Sequence, residues 1–401
     1  MLDPRWTAAR REMLLDPQVV NLNTGSFGPL PRCVFQRVTE LRQRLAEEPM
    51  DFLLRQAPAL LAPARQRLAT YFHADPRRLI FTANTTAGIN LVAASLRLAA
   101  PGELLLTDYE YGSMVWCWER AAQRCGLTIR TFPLPPLART AEEFVAAARA
   151  AFSSRTRLLF FSHVVSATGL VLPARELCAA ARQQGILTVV DGAHAPAMLP
   201  LDLDGIDADY YAGNCHKWLL APTGSGFLVL GKGSGERIQP LQVSWGWHFD
   251  PAVADQPDEY GSTPRIRSFE FEGTRDPCPW LSVTAAIDFQ ERVGVPDIRR
   301  RIAELAKYAR ARIGAAAGLP LVTPAAPELH GALTAFELPR RLQPKEIREA
   351  LWSQFRIEVP IIERPDRLLV RVSTHFYNTE AEVDALAEAL RALCDAPGRS
   401  N

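Results

Sequence analysis

The sequence lacks several features that would assign it to a specialised class of protein. No apolar run reaches the roughly 18 residues needed to span a bilayer. The start, Met1 to Trp6, has neither the basic region nor the apolar region of a signal peptide. The net charge of +1 gives no field that would attract nucleic acid or an anionic membrane. We therefore expect a cytoplasmic protein that binds neither.

Metal-binding patterns are also missing. The seven cysteines are scattered, odd in number and without a Cys-x-x-Cys pair, so we expect reduced thiols and no metal site. A metal-dependent hydrolase using His163, His194 and His216 is a weak alternative, because no carboxylate completes a recognisable ligand spacing.

What the sequence does contain is a regular alternation of short apolar runs and longer amphipathic stretches. Hydrophobic residues make up 48% and charged residues 22% of the 401 residues, as in ordinary globular proteins. Strands are predicted at 79–82, 103–107, 128–132, 157–161 and 187–190, with helices at 86–98, 112–125, 141–152 and 174–184 between them. This alternation predicts an α/β fold with a mostly parallel sheet covered by helices on both faces.

The pattern changes along the chain, which predicts three regions. Residues 1–20 form an N-terminal arm that packs near a small domain, 21–275 a large domain, and 276–401 a smaller C-terminal α+β domain. The run Phe227 to Leu230 is a candidate antiparallel strand, because no helix precedes it. Residues 231–275 look irregular. Trp245 and Trp247 in that segment either line a substrate site or pack a dimer contact.

A carboxylate, an imidazole and an amine follow two neighbouring predicted strands. Asp191 ends one strand, His194 lies three residues later, and Lys217 follows the next apolar run. The carboxyl ends of the strands are where open α/β sheets bind ligands. Pyridoxal 5'-phosphate (PLP) requires a lysine for its Schiff base and a carboxylate for its pyridinium nitrogen. Each residue alone has an ordinary structural explanation, but this order and spacing indicate a PLP site.

Three further strand ends carry polar or aromatic residues. Thr85 and Thr86 start a helix, where free N–H groups suit a phosphate, although a simple Thr cap is the alternative. Tyr109 is our first choice for an aromatic that stacks on the cofactor ring, and Tyr111 is the alternative. Ser166 belongs to a polar segment that could reach the cofactor's ring oxygen or the substrate.

These motifs resemble the class V aminotransferase family of fold-type I PLP enzymes. The similarity runs from Leu22-Asn23-Thr24-Gly25-Ser26-Phe27-Gly28 to the segment Arg371–Thr379, and so covers almost the whole chain. Within the family the chain is most similar to the branch of the isopenicillin N epimerases, which is related to cysteine desulfurases and C–S lyases. The resemblance implies a mainly parallel seven-stranded sheet between helices and a homodimer whose subunits share the active site.

The resemblance also implies roles for individual residues. Lys217 would form the Schiff base, Asp191 would pair with the pyridine nitrogen and His194 would sit at the ring oxygen. The other cofactor-binding residues implied are Thr85, Thr86, Tyr109, Ser166 and His216, with Thr274 completing the phosphate site of the partner subunit. Asn23 and Arg371 would bind the substrate, Arg371 through its α-carboxylate. Without the family, Arg371 at a strand end would be read as a surface salt bridge.

The sequence departs from the desulfurase pattern. The stretch Phe355–Ile362, where the nucleophilic cysteine of those enzymes would fall, contains no cysteine. We therefore expect reaction at the α or β carbon of an amino-acid substrate through a Lys217 aldimine and a carbanion. The expected outcome is epimerisation or C–S β-elimination in secondary metabolism. An aminotransferase and a non-catalytic protein that keeps the PLP fold are the alternatives.

Overall fold

The structure, a computed structural model, describes residues 3–136 and 138–395. Its helices are α1 Pro4–Arg11, α2 Arg32–Glu47, α3 Pro49–Asp51, α4 Ala57–Tyr71, α5 Thr85–Ser95, α6 Gly112–Cys125, α7 Ala141–Ala151, α8 Ala174–Arg182, α9 Leu203–Ile206, α10 Pro264–Glu270, α11 Cys278–Leu281, α12 Val283–Val293, α13 Val295–Ala317, α14 Pro344–Phe355 and α15 Glu380–Asp395. Among the described residues, none of these helices is both long and apolar enough to cross a membrane.

Twelve strands form three sheets. They are β1 Val20–Asn21, β2 Leu79–Thr82, β3 Glu103–Thr107, β4 Thr128–Phe132, β5 Thr156–Ser162, β6 Leu187–Gly192, β7 Tyr210–Asn214, β8 Gly226–Leu230, β9 Leu333–Leu338, β10 Ile357–Glu358, β11 Ile361–Glu363 and β12 Leu368–Ser373. The largest sheet has the order β2-β8-β7-β6-β5-β3-β4. The predicted seven-stranded sheet is therefore confirmed.

The direction of each strand in this sheet follows from its connection. Strands β3 to β7 pair in parallel, because helices carry the chain back across the sheet between them. Strand β8 follows β7 without a crossover helix and runs antiparallel to both β7 and β2, as predicted. The central strands are buried and apolar, and hydrophobic cores lie on both faces of the sheet.

The C-terminal part contains a second, smaller sheet. It has the antiparallel order β11-β12-β9 and packs its apolar residues with α13 and α15. The N-terminal segment reaches this part twice. Strand β1 pairs with β10, and Arg10 of α1 donates to Glu382 at 2.7 Å. Helices α11 and α12, however, pack against α2 and α4. The division at residue 275 stays a prediction.

Two segments differ from the expectation drawn from the sequence. Residues 51–72, rich in Arg, Leu and Ala, predict one regular helix, but a π-helical turn at Phe52–Gln56 separates α3 from α4. The segment 231–275 was expected to be irregular, yet it contains α10. That helix begins with a Thr263 side-chain cap and Pro264, both of which favour a helix start.

Candidate active site

The carboxyl ends of the parallel strands open into a cavity of about 850 Å³. Its walls come from loops after β3, β5, β6 and β7, from the N-terminal loop Gly25–Phe27, and from β11 and β12. A sheet edge of this kind is where α/β folds bind ligands. The cavity volume falls within the roughly 300–1,000 Å³ of sites that bind drug-sized molecules.

Asp191, His194 and Lys217 all line this cavity, as predicted from their spacing. Asp191 is the penultimate residue of β6, in register with Ala212 of β7, and its Oδ1 accepts the Ala193 N–H at 2.9 Å. The Lys217 Nζ lies 3.3 Å from His194 Nε2. The strand register therefore brings the amine, the imidazole and the carboxylate to one place.

Burial shifts the proton affinity of all three groups. It lowers the pKa of Lys217 to about 7, with the Arg371 cation adding to the effect and Asp191 opposing it. Burial also lowers the pKa of His194 well below its usual range, while it raises that of Asp191. A lysine with a pKa near 7 is suited to taking and returning protons at neutral pH.

The N-terminus of α5 forms a second part of the cavity wall. The Asn84 side chain caps the helix by accepting the Ala87 N–H at 2.8 Å, and the Thr85 N–H donates to Asn214 Oδ1 at 2.9 Å. The predicted phosphate residues Thr85 and Thr86 both line the cavity. The buried Thr85 Oγ1 has no hydrogen-bond partner among the described residues, so this hydroxyl is available to a ligand.

His216 lines the cavity next to the exposed ring of Phe27. Their rings stack with centroids 6.0 Å apart, and burial lowers the His216 pKa to about 4. The Nδ1 atoms of His194 and His216 are both buried without a partner in the described chain. The loop that carries Phe27 approaches closely because Gly28 has no side chain: a Cβ there would overlap the Lys217 carbonyl oxygen.

Arg371 lines the cavity from β12 and is only 4% exposed. Its Nη1 donates to the Ser166 carbonyl oxygen and Oγ, both at 2.9 Å, and its Nη2 to Ser26 Oγ at 3.2 Å. Asn23 Oδ1 accepts from Arg371 Nη2 at 3.4 Å, but Asn23 does not line the cavity. None of the ion pairs among the described residues involves Arg371, so it is not the surface salt bridge that a strand end alone would indicate.

The two candidate stacking tyrosines differ in accessibility. Both line the cavity, but the Arg364 guanidinium covers the Tyr109 ring at 3.9 Å from its centre. Tyr111 precedes α6 and is 54% exposed. Tyr111 is the more accessible of the two, and which ring stacks on the cofactor stays a prediction.

Thr274 does not reach this cavity within one chain. It lines a second, smaller cavity of about 330 Å³ together with Trp245 and Leu54. Within the described part of the chain, Trp245 does not line the active-site cavity. The expected contribution of Thr274 to the phosphate site of a partner subunit stays a prediction.

The histidines considered for a metal do not assemble. His163 does not line the cavity that contains His194 and His216, and its Nδ1 lies 2.8 Å from the Tyr211 hydroxyl. The residues that the structure describes contain no group of three or more His, Cys, Asp or Glu side chains that could hold a metal ion.

Glu110, Asn214 and Arg364 are among the lining residues that sequence reasoning missed. Glu110 lies buried between Thr107 and Ser162, accepts the Ser162 hydroxyl at 2.6 Å, and has its pKa raised to about 7 by burial. Two signals in the sequence could have identified the first two residues. Glu110 lies between two tyrosines after a strand, and Asn214 is the last residue of β7. Arg364 carries no such local signal.

The chain belongs to the class V aminotransferase family. The sequence profile described as Aminotransferase class-V matches residues 26–386. The fold and the strand-end cavity agree with that assignment.

Two relatives are similar over nearly their full length. The isopenicillin N epimerase of Amycolatopsis lactamdurans is 56% identical, covering 98% of this chain and 100% of the relative. That of Streptomyces clavuligerus is 55% identical, covering 97% and 98%. A solved structure of a lysine-to-alanine mutant of C-DES, with glycine covalently linked to its PLP cofactor, superposes with a TM-score of 0.84. It is 26% identical and covers 96% of this chain and 99% of its own.

Proposed function

We propose that this protein is a PLP-dependent epimerase that inverts the α-centre of an amino-acid group, with isopenicillin N as the candidate substrate. The observation that carries the proposal is the 56% identity, over the whole of the relative, to an isopenicillin N epimerase. The cavity supplies residues of the chemical types that such a reaction requires.

The residues of the cavity fit PLP. The unpartnered Thr85 Oγ1 and the N-terminus of α5 would hold the phosphate, with His216 Nδ1 beside them. Asp191 would pair with the protonated pyridine nitrogen, and His194 would face the ring oxygen. The bound cofactor would withdraw electrons from the substrate Cα and so acidify its proton.

The chain's own side chains would then handle that proton. Lys217, with a pKa near 7, would take the proton from Cα, and inversion requires that a proton then reach the opposite face of that carbon. Arg371, a buried cation without a carboxylate partner, would hold the substrate α-carboxylate. Ser166, Ser26 and Asn23 fix the plane of its guanidinium and so orient the Cα–H bond.

The cavity lining bears on the alternatives. No cysteine lines this cavity in the described part of the chain, so it offers no thiol to accept sulfur as a persulfide. An aminotransferase would need protonation at the cofactor instead of Cα, and it remains the second candidate because Lys217 could serve either carbon.

We further propose that the active unit is a cytoplasmic homodimer. The seven cysteines are all unpaired, as suits a reducing compartment. Trp245 is 89% exposed and lines the Thr274 cavity together with Leu54, which is 48% exposed, and a patch of exposed large apolar side chains commonly marks an interface. A second copy of the chain covering this region would bring Thr274 to its active site.

The test is reconstitution with PLP followed by product analysis with isopenicillin N. Borohydride should attach the cofactor to Lys217, one of four lysines in the sequence, as located by peptide mass mapping. Chiral chromatography should then show both epimers and no keto acid. A keto acid with the amino group left on the cofactor would replace this proposal with an aminotransferase, and pyruvate formed instead from an S-substituted cysteine would replace it with a lyase.

A further inference from the structure

A second arginine lines the active-site cavity, and the reaction as described does not use it. Arg364 follows β11 in the turn that leads to β12, the strand of Arg371. Its side chain is 20% exposed. The residue therefore presents a cation to the same cavity that would hold the substrate.

The guanidinium of Arg364 is held in a fixed plane. It covers the Tyr109 ring at 3.9 Å from the centroid, and its Nη2 donates to the Asp108 carbonyl oxygen at 2.9 Å. Both contacts are to neutral groups. A planar fork held in this way loses little conformational entropy when a carboxylate binds to it.

The carboxylates near Arg364 are bound elsewhere. Asp366 lies 3.9 Å from Arg364 Nε, beyond hydrogen-bond distance, and accepts from Arg367 Nε at 2.7 Å. Glu363 accepts from Arg348 at 2.6 Å. The Arg364 Nε has no hydrogen-bond partner among the described residues, although it is shielded from solvent. The cation is thus only weakly neutralised.

The active-site cavity extends to this second cation. The cavity of about 850 Å³ would hold PLP beside Asp191 and Lys217, and its lining continues to both Arg371 and Arg364. We propose that Arg364 is a specificity-determining residue that binds a second carboxylate, at the end of the substrate distant from its α-carboxylate. This inference depends on the proposed function at one point, which is that Arg371 holds the α-carboxylate of the substrate.

The test uses diacids that lack an amino group and so bind without reacting. Calorimetric titration of the holoenzyme would compare glutarate, adipate, pimelate and suberate, each with its monoamide. At the best-fitting chain length we expect the diacid to bind roughly tenfold more tightly or better, since a charge-assisted fork replaces a neutral contact. Arg364→Gln should abolish this preference, and Arg364→Lys should retain only part of it.

Arg367→Gln, combined with Asp366→Asn so that the freed carboxylate cannot pair with Arg364, is the matched control. The Arg367 substitution removes the same charge from the same turn, but Arg367 is bound to Asp366 and does not line the cavity. The diacid preference should survive in this variant. Equal affinity for diacid and monoamide at every chain length, or a preference that persists in Arg364→Gln, would overturn the proposal. If Arg364→Gln lowers the melting temperature but leaves the preference unchanged, Arg364 only stabilises the fold through its hydrogen bond to Asp108, and the proposal is wrong.

A parallel titration separates this inference from the proposed function. L-2-aminoadipate and its distal amide would be followed by the absorbance of the bound cofactor. If neither amino acid changes the absorbance, the proposed amino-acid chemistry fails, while the diacid result still decides whether Arg364 binds a carboxylate.

Discussion

Two buried arginines in this chain have opposite surroundings. Arg65, beside the smaller apolar cavity, contacts Glu270 through Nη2 and donates from Nε to the same carboxylate at 3.3 Å. Arg371, in the active-site cavity, is equally buried but contacts neutral oxygens of Ser166, Ser26 and Asn23. A buried charge is tolerated when it is paired. The paired arginine is therefore structural, and the unpaired one is available to a carboxylate of the substrate.

The carboxylates of the two regions follow the same rule. Glu270 is matched by Arg65, whereas Glu110 makes no ion pair within the described residues and burial raises its pKa to about 7. Unmatched buried groups are costly to keep, so their concentration in one cavity indicates function. Substitutions in either region test this difference between paired and unpaired buried groups.

The largest effect on stability is expected for Arg65→Met. This change leaves Glu270 buried without a partner, and breaking such a pair typically costs about 3–5 kcal/mol of unfolding free energy. Urea denaturation would measure the loss, while the affinity of the folded enzyme for amino acids should be unchanged. A stability equal to that of the wild type would mean that this pair is not the structural counterpart of Arg371.

Glu110→Gln should change how stability depends on pH. The folded pKa of about 7 lies above the ordinary 4.5, so the contribution of Glu110 is fully present below pH 4.5 and is lost as the pH rises through 7. The variant should gain about 2–3 kcal/mol relative to the wild type between pH 4.5 and pH 8. Urea denaturation at a series of pH values would measure this difference. A constant difference would show that Glu110 ionises normally.

Arg371→Lys should weaken substrate binding without loss of stability. Lysine keeps the charge but not the two-point fork, which costs roughly 1.5–3 kcal/mol, or about ten- to a hundredfold in affinity. Absorbance titration with amino acids and a melting curve on the same variant measure both properties. A lower melting temperature with unchanged affinity would assign Arg371 to the structural class of Arg65.

Trp245→Asp should weaken association of the proposed dimer. A charge in place of an exposed tryptophan at an interface should cost at least about 2 kcal/mol, or roughly thirtyfold in the dimer dissociation constant. Sedimentation at assay concentration measures the shift, and Trp352→Asp, at another exposed tryptophan on α14, is the control. A fully active monomer would remove Thr274 from the active site.

The sequence was sufficient for the parts of this molecule that depend on local pattern. The parallel strands and the meeting of Asp191, His194 and Lys217 were predictable, because parallel strands bring their carboxyl ends to one edge. Arg364 was not predictable, since its contact with Tyr109 joins residues distant in sequence. For the same reason the sequence alone could not show that Arg364 covers the Tyr109 ring. Likewise, no sequence pattern distinguishes a paired buried arginine from an unpaired one.

The most direct test of the account follows the Cα proton of isopenicillin N by NMR in D₂O. We propose that Lys217 removes this proton and that a proton then reaches the opposite face of Cα. We expect loss of the Cα–H signal as the second epimer forms, with both processes slowed about 10³-fold or more in Lys217→Ala. A wild-type enzyme that leaves the signal unchanged, or a Lys217→Ala variant that exchanges it at the wild-type rate, would contradict the account.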